Sequence, residues 1–240
     1  MAQWKSAVPS REEQRDLKRS VIMREAAAAF RRFGFHNVSL DEVAKSLQIS
    51  KPTLYTYFPT KQQLLFACHS LALDLGDASI DYASREGRTG LDRVVKMLDH
   101  YVRQLTGDMG EMTVLTDLHA LTPEDRETIR KRRDGFDRVL RAWVREGMAD
   151  GSIHKGDPTL TVMVFMGAVN WLHAWFSHGG PRGGDEIAEH FSRIFGRGIA
   201  ADRSGRSPRG APAGKPRRST RAAAGAAAAG AKTARLKRVK

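Results

Sequence analysis

The sequence predicts an all-α protein of about nine helices, with an N-terminal three-helix helix-turn-helix domain followed by a larger helical domain. Three observations carry this reading. Apolar residues recur at three- and four-residue spacing in the segments between Arg11 and Ile199. Ser, Thr or Asp residues stand where those segments begin, as N-caps do. Glycine or proline stands where most of them end.

Residues 1–10 read as a flexible basic arm that leads, through Lys5, Arg11, Arg15, Lys18 and Arg19, into the first helix. That helix is expected over 11–32, with Ile22, Ala26, Ala29, Phe30 and Phe33 as its inner stripe and Gly34 as its stop. Ser39 and Glu42 form a capping box, so a second helix starts at Leu40. Leu40, Val43, Ala44 and Leu47 give it one apolar face. Gln48-Ile49 is the turn, and Ser50 caps a third helix with Pro52 in its first turn, where a missing N–H costs nothing. Leu54 and Phe58 point inward, which leaves Lys51, Thr53, Tyr55, Thr56 and Tyr57 on the other faces. Pro59-Thr60 ends that helix, and Thr60 with Gln63 caps the next.

Short polar and aromatic groups at the N-terminal end of such a helix are the groups that reach base edges and phosphates in the major groove. Residues 11–61 are therefore the expected DNA-binding domain. Lys51, Thr53 and Tyr55 are its candidates for base and nearby backbone contacts, Ser39, Ser50, Tyr57 and Lys61 its candidates for phosphates, and Pro52 is counted with them at the DNA-binding surface.

Residues 62–200 read as a second helical domain. A long helix is expected from Lys61 to about Ala83, then one over 88–106 and a shorter one over 111–120. Thr122-Pro123-Glu124-Asp125 opens a helix to about Ala149: N-cap, proline, then acids against the positive end of the dipole. Asp157-Pro158 opens a helix apolar nearly all round, expected to be buried on several sides. The last helix spans 184–199, with Ile187, Phe191, Ile194, Phe195 and Ile199 inward. These two helices are too apolar for one protomer's surface, and a two-fold four-helix dimer interface is the expected sink.

Charge is distributed unevenly. Residues 201–240 carry 12 Lys/Arg and one acid, and residues 1–61 carry 11 Lys/Arg and 6 acids. The intervening stretch is slightly acidic, with 17 Lys/Arg and 20 acids. Nucleic-acid contact is expected at the ends. The tail, 201–240, is low in large apolar residues and is expected to be disordered. The lone cysteine, Cys68, excludes an intrachain disulfide and fits a reducing compartment. With no apolar leader and no membrane-length run, a cytoplasmic location is expected. No metal-ligand spacing, phosphate loop, nucleophile elbow or paired-carboxylate signature is legible. No cofactor and no enzyme activity are expected.

The run Ile-Ser-Lys-Pro-Thr-Leu-Tyr-Thr-Tyr-Phe-Pro-Thr-Lys-Gln-Gln-Leu closely resembles the TetR family of one-component repressors. The preceding Ala-Ala-Ala-Ala-Phe-Arg-Arg-Phe-Gly-Phe-His-Asn-Val-Ser-Leu-Asp-Glu-Val-Ala resembles the same family's first helix, turn and second helix. One departure is Leu47-Gln48, where Ala-Gly is usual; glutamine there must accept a conformation that glycine adopts more cheaply. The resemblance implies a homodimer, joined through the last two helices, on a double-stranded palindromic operator. It also implies a small-molecule effector held among the middle helices, whose binding releases DNA.

The aromatic and sulfur-bearing residues of that middle region suit an adaptable apolar cavity. Tyr101, His119, Phe136, Trp143, Met163, Asn170, Trp171 and Trp175 are its expected lining. The stretch Ala-Val-Asn-Trp-Leu-His-Ala-Trp-Phe-Ser-His-Gly-Gly-Pro resembles a signature of TetR-like regulators of fatty-acid and sterol breakdown, which implies an acyl-CoA thioester as effector. Arg130-Lys131-Arg132-Arg133 is the candidate source of cations for its phosphates. Two alternatives stand beside this reading: a nucleoid-type protein binding DNA without sequence preference through the basic tail, and a regulator of efflux or stress responding to a drug-like ligand.

Overall fold

The computed structural model describes residues 9–201. Most of the expected arm and, apart from Ala201, the expected tail lie outside these residues. Eight α-helices are present among them: α1 Arg11–Phe33, α2 Leu40–Ser46, α3 Lys51–Tyr57, α4 Lys61–Glu86, α5 Gly90–Thr106, α6 Pro123–Asp150, α7 Pro158–Trp175 and α8 Gly184–Ile199. The described residues form no strand beyond an isolated bridge between Ile153 and Ala200.

The cap chemistry sets most helix starts. Ser39 Oγ accepts from the Glu42 amide at 3.1 Å, and the Glu42 carboxylate accepts from the Ser39 amide at 2.8 Å. These bonds hold the Glu42 carboxyl below its ordinary range. Ser50, Thr60, Thr89, Thr122 and Asp157 cap α3 to α7 through one half of that arrangement, the side-chain oxygen accepting from a first-turn amide.

The expected helix over 111–120 does not form. Gly110–Met112 and Leu118–Ala120 are single 3-10 turns, and Asp117 between them has a φ of 61°. Two guanidinium hydrogen bonds explain the break. Arg31 of α1 donates to the Glu111 carbonyl at 2.8 Å and to the Thr113 carbonyl at 2.9 Å. Those are acceptors that a continuing helix would need four residues on. Met112 and Val114 are buried beneath this connection.

Two cores result. One joins α1, α2, α3 and the start of α4 around Phe30, Leu54, Phe58, Leu64 and Leu65. The other joins the rest of α4 with α5 to α8 around Met97, Leu98, Leu140, Phe165 and Leu172. Fully burying such a side chain contributes about 1.5–3 kcal/mol. Leu71 of α4 packs against both cores, so this helix physically links them. Gly76 lets Phe136 lie on α4, because a Cβ there would come within 2.9 Å of the ring.

Three inward expectations are corrected. Phe33 is 54% exposed, in an open groove it shares with Glu42, Val43 and Ser46 of α2, and Arg32 stacks on its ring at 4.9 Å. Ile194 points outward. α7 is buried on one side through Val162, Phe165, Val169 and Leu172, whereas Leu160, Met163, Val164, Trp171 and Trp175 face out. Its apolar composition thus serves two faces, of which this chain covers one. No helix among the described residues is long and apolar enough to cross a membrane.

Candidate functional site

α3 is presented by a turn that glycine would make more cheaply. Gln48 occupies a φ of 55°, and the Ile49 amide then reaches back to the Ala44 carbonyl at 3.0 Å. Ser50 Oγ caps α3 by accepting from the Thr53 amide at 3.2 Å and lies 2.7 Å from Thr53 Oγ1. Leu54 and Phe58 anchor the helix in the first core. Lys51, Pro52, Thr53 and Tyr55 are left exposed on one end of it.

The candidates differ in how free they are. Lys51 Nζ pairs with Asp41 of α2 at 2.5 Å, which raises its pKa, yet its side chain stays largely in solvent. Tyr57 is half-buried against the first core, and its carbonyl accepts from Arg19, whose guanidinium also covers the Phe58 ring at 4.3 Å. Lys61 is turned inward: its ammonium donates to the Phe35 carbonyl at 2.8 Å and the Val38 carbonyl at 2.7 Å and lies over the Phe35 ring. Partial burial lowers its pKa. Lys61 therefore braces the turn between α1 and α2, with one N–H left to offer. Ser39, exposed at the head of α2, has its hydroxyl engaged with Glu42.

Of the expected effector lining, Tyr101, Phe136 and Asn170 share one cavity of about 170 Å³, whose wall also includes Leu73, Gly76 and Met166 and, as charged groups, Arg133, Asp134 and Asp137. The Tyr101 and Phe136 rings stand 5.8 Å apart, and the Tyr101 hydroxyl donates to the Ala72 carbonyl at 3.3 Å. Burial raises the pKa of that phenol. Trp143 is buried in the second core instead. His119 lies beside His36, with the rings 6.1 Å apart. Met163, Trp171 and Trp175 are on the outward face of α7 and do not line the cavity.

The basic run separates in an informative way. Arg130 pairs with Glu127 and Asp134, Lys131 with Glu127, and Arg132 with Asp74 and Asp77. Arg133 has no carboxylate within ion-pair reach among the described residues, and its guanidinium lines the cavity. Desolvation lowers its pKa. A second cavity of about 330 Å³ is lined by Arg31, Leu105, Glu111, Leu172, His173 and Phe176. His69 lies buried on α4 near both Arg133 and His173. Sequence reasoning missed His69, His173 and Arg31. The readable signal for His69 was a polar residue one turn from Leu65 and Leu73 on an apolar stripe.

The comparisons agree with this architecture. The sequence model described as bacterial regulatory proteins, tetR family, matches residues 22–68. The one described as tetracyclin repressor-like, C-terminal domain, matches residues 87–199. The chain is 24% identical over 161 residues to the uncharacterized HTH-type transcriptional regulator YhgD of Bacillus subtilis (strain 168), covering 62% of this chain and 78% of that one. Its fold is similar to the crystal structure of the TetR family regulator PfmR from Thermus thermophilus, with a TM-score of 0.65 and 27% identity over 73% of this chain and 97% of that one. It is likewise similar to AibR, solved in complex with isovaleryl coenzyme A and operator DNA, with a TM-score of 0.62 and 26% identity over the same shares, 73% and 97%. With both halves matched and an exposed α3 carried on a three-helix head, the chain belongs to the TetR family of transcriptional regulators and is a DNA-binding regulator rather than an enzyme.

Proposed function

We propose that this chain is a repressor that binds a palindromic operator as a homodimer and is released from it by a small apolar effector, an acyl-CoA thioester. The observation that carries the effector reading is the cavity in which Tyr101, Phe136 and Asn170 adjoin the unpaired guanidinium of Arg133. An apolar acyl group fits its aromatic wall, and an anionic ligand fits its cation. At about 170 Å³ it is smaller than the roughly 300–1,000 Å³ of most ligand pockets, which favours a short acyl chain. The similarity to AibR, whose structure holds isovaleryl coenzyme A, supports the same class.

On the DNA side, Lys51, Pro52, Thr53 and Tyr55 read bases and nearby backbone. Ser39, Ser50, Tyr57 and the remaining N–H of Lys61 approach phosphates. The outward apolar face of Leu160, Met163, Val164, Trp171, Trp175 and Ile194 is the homodimer contact, which spaces two α3 helices on one operator.

The experiment is selection of an operator from random duplex DNA with the full chain, followed by binding of that operator with and without isovaleryl coenzyme A. A palindromic site whose affinity falls at least tenfold with the thioester supports the proposal. Binding indifferent to DNA sequence, or unaffected by the thioester, overturns the corresponding half of it.

A further inference from the structure

Where α4, α6, α7 and the connection between α5 and α6 converge, the chain buries positive and polar groups without enough partners. His69 is 1% exposed, and neither of its ring nitrogens has a hydrogen-bond partner. The Thr116 backbone favours its protonated form but is not aligned as a hydrogen-bond partner. Arg133 makes a single long hydrogen bond, to the Leu115 carbonyl at 3.4 Å. His173 Nε2 lies 2.8 Å from Thr113 Oγ1, while its Nδ1 is buried and unpartnered.

The hydrogen-bond directions sharpen this. Thr113 Oγ1 already donates its one proton to the Gly110 carbonyl at 2.8 Å. It can only accept from His173, so Nε2 carries the proton and Nδ1 of the neutral ring is an orphaned lone pair. Such groups are costly to bury unless something else satisfies them. The larger charge acting on each is positive: Arg133 from α6 acts on His69, and Arg31 from α1 acts on His173. Asp134 and Asp137 of α6 line the cavity beside Arg133, paired with Arg130 and Arg141. Asp117 is the acid that acts on His69, and Arg133 outweighs it. Glu111, in the His173 cavity, is already engaged by Arg24 and His178. Tyr101 from α5 and Cys68 beside His69 are held neutral by burial.

We propose that this seam seats an anionic group of the effector, a carboxylate or a phosphate, held by Arg133 and His69, with His173 as the next link toward Arg31 of the DNA-binding domain. It rests on the effector reading above and adds the charge of the ligand and the residues that recognise it. Burial and the flanking arginines push both histidines down to about 4, so both rings are neutral near pH 7 while Arg133 keeps its charge. A bound anion reverses the local sign and draws a proton from the buffer onto the histidine pair.

The test is calorimetric titration of the full chain at pH 6.5 with isovaleryl coenzyme A, isovalerate and neutral isovaleramide, in two buffers of different ionisation enthalpy. Wild type is compared with Arg133→Met, and thermal unfolding of both is recorded without ligand. The expected result is proton uptake with an anionic compound, at least tenfold weaker binding of it by Arg133→Met, and an unliganded variant no less stable than wild type. Uptake with isovalerate places a carboxylate at the seam and makes the free acid the effector in place of the thioester; uptake with the thioester alone places a CoA phosphate there. The proposal is overturned if isovaleramide binds as tightly as the tightest-binding anionic compound, if binding takes up no proton, or if Arg133→Met lowers the melting temperature of the unliganded protein. Equal thioester binding by wild type and variant sinks this inference and leaves the effector reading standing. No binding of any compound ends both.

Discussion

Arg31 and His173 meet through one residue, Thr113. Arg31 donates to the Thr113 carbonyl at 2.9 Å, and His173 lies 2.8 Å from the Thr113 hydroxyl. Arg31 belongs to α1 of the DNA-binding domain and His173 to α7 of the effector domain. The two helices are thus joined by a continuous hydrogen-bonded path through a single turn of backbone. Arg31→Met removes two charge-assisted hydrogen bonds, each contributing about 1.5–3 kcal/mol, and offsets part of that by removing a half-buried charge. The expected variant unfolds earlier, still binds operator, and responds less to effector. Operator affinity measured with and without isovaleryl coenzyme A checks this; an undiminished response would show that Thr113 carries no signal.

The same region sets an acid limit on stability. His69 and His173 are held at about 4 in the folded chain, against an ordinary 6.5. In the unfolded chain both protonate as pH falls through 6.5, while in the folded chain they stay neutral down to about 4. The unfolded state therefore binds more protons in that window. Stability declines as pH drops through it, by at most about 1.4 kcal/mol per pH unit for each histidine, and is insensitive to these groups above pH 7. Urea unfolding at pH 7, 6 and 5 checks the slope. His69→Leu should flatten it, and an unchanged slope in that variant removes His69 from the account.

Gln48 offers a simpler test. Its φ of 55° is a left-handed conformation that a side chain adopts at a cost. Its side chain is exposed, so replacing it loses no burial. Gln48→Gly is expected to relieve the turn, offset by the greater freedom of unfolded glycine, for a net gain of up to about 1 kcal/mol. A lower melting temperature in Gln48→Gly would mean that the glutamine side chain supports the turn.

Much of this was legible before the structure, and the division follows the range of the interactions involved. Caps at Ser39, Ser50, Thr60, Thr122 and Asp157 act within three residues, so the sequence reveals them directly. The failure at 111–120 came from Arg31, eighty residues away, taking the carbonyls the helix needed. Composition flagged Met163, Trp171 and Trp175 as apolar, but whether an apolar residue faces a cavity or a second copy depends on which side of α7 the fold covers. Arg133 differs from its three neighbours only through pairing across α4 and along α6, which no local pattern encodes.

Division of labour on α3 can be read from two substitutions. Thr53 is exposed near the N-terminal end of α3, whereas Tyr57 is half-buried beside Arg19. Thr53→Ala is expected to relax preference at one operator position, by about 1–3 kcal/mol of discrimination. Tyr57→Ala should weaken selected and random DNA alike. Competition binding with single-base operator variants measures both, and equal losses on all sequences for both changes would reject the assignment.

The outward face of α7 and α8 carries the last prediction. Trp171 is 67% exposed, with Met163, Val164, Trp175 and Ile194 also facing out. A patch of that kind on a lone protomer is an association site, and aromatic residues dominate the energetics of such contacts. The inward side of α7 rests on Phe165, Val169 and Leu172, which Trp171→Asp leaves untouched. The variant should therefore keep its helical content and melt as one unit while sedimenting as a monomer at micromolar concentration. A two-fold operator gains its affinity from two reading heads held at fixed spacing, so the monomer should lose at least a hundredfold on a full palindrome and little on a half-site. A Trp171→Asp protein that remains dimeric would move the interface off this face.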